Sequence, residues 1–116
     1  GPYLVSHAGF TEVTVQYAKP EVEQEAIEIL LKGEYDPIFA AGRSRGGNLP
    51  VGGPLWLDWS EFKHLDNLPQ IVGHTPSNKV RSKGTDAQLK SWCVDTHSHH
   101  ILWVDEETGA IEIEQV

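Results

Sequence analysis

Methionine is absent from all 116 residues, the first position included, and cysteine occurs once, at Cys93. The chain therefore does not open on an unprocessed start codon. Gly1-Pro2 has the form that tag-removing proteases leave behind, and it is equally compatible with a native sequence. A lone cysteine excludes an internal disulfide framework and suits a reducing compartment, so a cytoplasmic location is expected. Long apolar runs are missing as well: none approaches the ~20 residues of a membrane-spanning helix. Basic residues are scarce, nine against seventeen acidic ones, giving a net charge of −8. Neither a nucleic-acid groove nor an anionic membrane surface is an expected partner for such a chain.

What is present points to a folded domain. Hydrophobic residues make up 39% of the chain and include four Trp, enough for one core over residues 1–116 and too much for a disordered chain. The organising features are two histidines, each just past a short apolar strand. One lies in Tyr3-Leu4-Val5-Ser6-His7-Ala8-Gly9, the other in Gln70-Ile71-Val72-Gly73-His74-Thr75-Pro76. Apolar runs of this kind read as strands buried on both faces, and ligands of open α/β sheets bind beyond the carboxyl ends of such strands. His7 and His74 are thus expected to share a site. Gly73 is read as the residue that lets backbone approach that site closely.

Around these strands the expected class is α/β with a mixed sheet. Pro20 to Lys32 carries an apolar stripe (Val22, Ala26, Ile27, Leu30, Leu31), with Pro20 at its first position and Gly33 beyond its end, and predicts a helix. Ser60 is expected to cap a short helix through about Leu65, leaving His64 on the surface. Ser91–Val94 predicts a strand, and a short one is expected at Val80. Ile101–Val104 and Ala110–Glu114 flank a glycine-bearing loop and predict an antiparallel hairpin that closes the sheet. Arg43 and Arg45, set among Gly42, Gly46 and Gly47, have the reach and fork geometry to grip a phosphate.

SHAG at 6–9, GHTP at 73–76 and Asp95-Thr96 resemble the later motifs of calcineurin-like metallophosphoesterases, in the bacterial and phage Ser/Thr-phosphatase-like branch. The resemblance implies the C-terminal half of a four-layer sandwich. It also implies a two-metal site loaded with Mn, Fe or Zn, phosphate esters as substrates, and His7 and His74 as ligands of the second metal. The family's earlier motifs, GDxHG, GDxxDRG and GNH[DE], have no counterpart here. The resemblance thus implies that the missing half, joined upstream or supplied by another chain or copy, completes the site, and that this chain alone is inactive. Leu55-Trp56-Leu57-Asp58-Trp59 is similar to a tryptophan-centred stretch of the family. Where relatives carry a phosphate-holding arginine two residues after the tryptophan, this chain has Asp58. The run His97-Ser98-His99-His100 also departs from the family. If extended, it aligns Asp95, His97 and His99 on one face at metal-ligand spacing. Two other readings stay open: a non-catalytic binding domain on this scaffold, and a small metal-binding protein using the Asp95–His100 cluster.

Overall fold

The computed structural model describes residues 1–17, 24, 28, 31–32 and 39–116. The helix expected over 20–32 lies outside the described residues except at Gln24, Glu28, Leu31 and Lys32. There Gln24, Glu28 and Leu31 are helical, and the Lys32 N–H donates to the Glu28 carbonyl at 3.1 Å.

The domain is a small mixed α+β unit holding two sheets. Among the described residues the strands are β1 (Leu4–Val5), β2 (Gln70–Val72), β3 (Arg81–Lys83), β4 (Ser91–Cys93), β5 (His100–Val104) and β6 (Ile111–Gln115). The first sheet has the order β1-β2-β4-β3; β1, β2 and β4 are parallel, and β3 is antiparallel to β4. All three residues of β2 are buried, because a neighbouring strand lies on each side and the core presses on the sheet. That is why its sequence shows no alternation. The edge strand β3 is Arg81-Ser82-Lys83, a charged edge of the kind that discourages strand addition.

The core gathers Ala8, Leu57, Trp59, Phe62, Val72 and Cys93. Trp59 and Phe62 stack with ring centroids 4.8 Å apart. Gln70 is completely buried, and its carboxamide answers for that: Oε1 accepts the Phe10 N–H at 2.8 Å while Nε2 donates to the Phe10 carbonyl at 3.0 Å. A buried amide paired in this way adds a backbone-like rung and avoids the cost of an unsatisfied polar group.

Three expectations need correction. Residues 60–65 form no helix; the Asp58 carbonyl accepts from the Glu61 and Phe62 N–H groups in a single turn, which itself buries Phe62. His64, expected on the surface, is half-buried, its Nδ1 2.8 Å from the buried Ser91 hydroxyl. Ser91 Oγ also accepts the Gln70 N–H at 3.0 Å, so its single hydrogen is free to donate to His64. Nor does the C-terminal hairpin close the main sheet. β5 and β6 pair over five residues, from His100↔Gln115 to Val104↔Ile111, as a separate two-stranded sheet. Its outer face leaves Trp103 56% exposed, with the indole Nε1 donating to Glu114 at 2.8 Å. Among the described residues no helix is long and apolar enough to cross a membrane.

Candidate functional site

β1 and β2 are in register, Leu4 opposite Gln70 and Val5 opposite Ile71. The ladder continues past the strands: the Gly73 N–H donates to the His7 carbonyl at 2.8 Å. The residues just beyond the two carboxyl ends are therefore fixed side by side. His7 Nε2 lies 3.1 Å from His74 Nδ1, and the two rings meet edge to face at 66° with centroids 5.0 Å apart. The pairing expected from sequence is present, at the carboxyl ends of two adjacent parallel strands.

Backbone geometry at His74 is unusual. Its φ is 70°, in the left-handed region, and the Thr75 N–H returns to the Gly73 carbonyl at 2.9 Å. A hydrogen bond spanning one residue of positive φ is the mark of the rare, strained form of the γ-turn. The sequence assigned the permissive role here to Gly73. Instead the histidine bears the strain, of order 1–3 kcal/mol, and a Cβ built on Gly73 meets only ordinary contacts. The turn is pinned from outside, because the Thr75 hydroxyl accepts the Trp59 N–H at 2.9 Å and Arg81 donates to the Thr75 carbonyl.

Behind His74 stands a charged clamp. Arg45 grips Asp58 with Nε at 3.0 Å from Oδ2 and Nη2 at 2.6 Å from Oδ1, and this hydrogen bonding holds the Asp58 carboxyl below its usual range. The His74 Nε2 is buried with no hydrogen-bond partner, 3.7 Å from Asp58 Oδ1. Burial, and after it the neighbouring His7, lowers the His74 pKa, which favours the neutral imidazole that a metal requires. Trp56, 40% exposed, walls the site, its ring centroid 6.1 Å from that of His74.

The other candidates fall into place unequally. Arg45 reaches the site through Asp58. Arg43 shares its short 3-10 turn (Arg43–Arg45), and its backbone N–H donates to the Leu49 carbonyl at 2.8 Å. Asp95, just past β4, approaches the same rim, its Cβ 3.8 Å from a Cβ built on Gly73. His97 and His99 are exposed and do not continue the strand. His97 and Ser98 adopt φ of 55° and 64° in a turn, so the extended alternation that would align Asp95, His97 and His99 is absent. The Asp95 carboxylate instead accepts the His97 N–H at 3.3 Å, and His100 Nδ1 lies 2.9 Å from the Thr96 hydroxyl. Among the described residues no group of three or more His, Cys, Asp or Glu side chains is placed to hold a metal ion. The pair at 7 and 74 thus offers two nitrogen donors. Sequence reasoning missed Asp58 as a partner of His74, since a contact from a residue 16 positions upstream leaves no spacing signal.

The chain matches no family model, no curated protein and no solved structure.

Proposed function

We propose that this chain forms the later part of a metal-dependent phosphoesterase, with His7 and His74 holding one divalent cation of a two-metal site. The carrying observation is the 3.1 Å approach of their ring nitrogens at the carboxyl ends of adjacent parallel strands. Two imidazole nitrogens bound to one ion at about 2.0–2.1 Å, in tetrahedral to octahedral arrangement, lie about 2.9–3.4 Å apart. The observed separation fits that range, and the donor type suits Zn, Fe and Mn.

A metal pair held there would supply Lewis-acid polarisation of a phosphoryl oxygen and would lower the pKa of a bound water. The chain's own residues supply the two neutral nitrogens, the strained turn that aims one of them, and the Trp56 wall. Arg45 is committed to Asp58, which leaves Arg43 as the candidate phosphate contact on this chain. Two ligands are too few for any complete site. Bridging carboxylates come from an N-terminal half joined upstream or from another chain, completing the four-layer sandwich. A sheet edge supports this: among the described residues β1 is the outermost strand, and Val5 on it is 69% exposed.

Calorimetric titration with Zn²⁺ and Mn²⁺ tests the reading, run on the chain and on His7→Ala and His74→Ala. The expected result is weak binding by the wild-type chain, abolished by either substitution, with no hydrolysis of p-nitrophenyl phosphate above the metal-only rate. Binding that survives both substitutions overturns the metal assignment. Enzyme-like turnover by the chain alone overturns the half-site assignment.

A further inference from the structure

We infer that Asp58 is a positioning residue for His74, fixing the ring in the tautomer that presents Nδ1 as a donor beside His7. The inference deepens the metal-site reading and rests on it.

Each ring nitrogen of a neutral histidine has one of two roles, and which carries the proton is decided by what faces the other. On one side of His74, Nδ1 faces His7 Nε2 at 3.1 Å. On the other, Nε2 is buried, has no hydrogen-bond partner, and looks toward Asp58 Oδ1 at 3.7 Å. A carboxylate accepts and does not donate, so a proton is favoured on Nε2 and excluded from the side that faces His7. Closure by about half an ångström makes this a hydrogen bond. Imidazoles that bind metal commonly donate their second N–H to a carboxylate, which sets ring orientation and raises donor strength.

Asp58 is built for that task and not for ligation. Its side chain is 13% exposed, and Arg45 engages both of its oxygens, so its charge is balanced and its rotamer is fixed. It also lies on the Nε2 side of the ring, away from the nitrogen that meets His7. Arg45, read from sequence as a phosphate contact, acts through Asp58 as the outer member of the chain Arg45–Asp58–His74.

The test uses the chain labelled with ¹⁵N at histidine. Long-range ¹H–¹⁵N correlation spectra taken without metal above pH 7.5 report the His74 tautomer directly. Wild-type chain is expected to show protonated Nε2 and bare Nδ1. Asp58→Leu, which matches the branching of the side chain but has no acceptor, is expected to lose that preference, and Asp58→Asn, whose Oδ1 still accepts, to retain it. Should Asp58→Leu fail to fold, Asp58→Ala serves in its place, since it removes the acceptor and adds no bulk. Zn²⁺ affinity of the variant that folds is expected to fall about 10–100-fold. Protonated Nδ1 in the wild type, or an Nε2–H form unchanged in Asp58→Leu or its substitute, overturns the assignment. The two readings fail separately: wild-type chain that binds no Zn²⁺ sinks the metal site, whereas the tautomer spectra judge Asp58 with no metal present.

Discussion

The Gly73 N–H donates to the His7 carbonyl at 2.8 Å, and this bond lies one step beyond the last strand pair of the β1–β2 ladder. It converts a register set by buried strands into a fixed spacing between two imidazoles. A slip of one residue reverses the face to which each side chain points, so the His7–His74 contact depends on Leu4 pairing with Gln70. The buried Gln70 carboxamide, locked onto Phe10, holds that register from the opposite side.

Gly9 closes the SHAG segment with φ of 110°, and a Cβ there would lie 2.7 Å from the Phe62 ring and 3.2 Å from Val72. Gly9→Ala is expected to destabilise the fold by about 1–3 kcal/mol through strain and overpacking. Denaturant unfolding followed by tryptophan fluorescence measures this. A loss under about 0.5 kcal/mol shows that Phe62 yields and that the steric reading is wrong.

Lys83 reaches inward from the edge strand to donate to the carbonyls of Trp59 and Phe62, with its ammonium 4.7 Å from the centre of the Trp59 ring. Burial, and then Arg81, lowers its pKa. Lys83→Met keeps the stem and removes the donor, taking this partner from the Phe62 carbonyl and leaving the Trp59 carbonyl the longer bond from the Phe62 N–H at 3.2 Å. The expected cost is about 1–3 kcal/mol, with a shifted Trp emission maximum. An unchanged unfolding midpoint counts against the capping role.

Asp105 organises the β5–β6 loop, its carboxylate accepting the Glu107 and Thr108 N–H groups at 2.9 Å each. These bonds, that from Thr108 foremost, lower its pKa below the usual 3.8. Between the folded and unfolded values the native state binds fewer protons. The stability it contributes is therefore present above pH 3.8 and lost as pH falls through the depressed folded value. Asp105→Asn keeps an acceptor but cannot titrate, so its stability is expected to fall less steeply below about pH 4. Superimposable acid limbs for the two proteins refute the assignment.

β1 is a two-residue edge strand with Val5 69% exposed, and an uncharged edge invites pairing. Light scattering is expected to give a mass above that of the 12.9 kDa chain, with Val5→Lys shifting the population toward monomer. A wild-type chain that stays monomeric at high concentration rules out this edge as a self-association surface.

Elements that rest on local chemistry were legible. β2 and β4 announce themselves as short β-prone runs, and the hairpin is written in the alternation of Ile111 and Ile113 with Glu112 and Glu114. Ser60 misled, because a residue suited to cap a helix also suits a turn, and burial of Phe62 outweighed local propensity. The His97–His100 run misled in the same way: alternation has meaning only in extended chain, and two successive left-handed residues break it.

Sequence alone determined that two histidines follow apolar strands and that the chain carries one domain's worth of core, since hydrophobic patterning is a property of neighbours along the chain. Only the tertiary structure decided that those rings meet at 3.1 Å, that His74 takes the strained turn, and that Arg45 and Asp58 stand behind it. These are contacts between residues 13 to 67 positions apart. Their energies appear only once parallel pairing of β1 and β2 has brought the segments together, and no local preference encodes them.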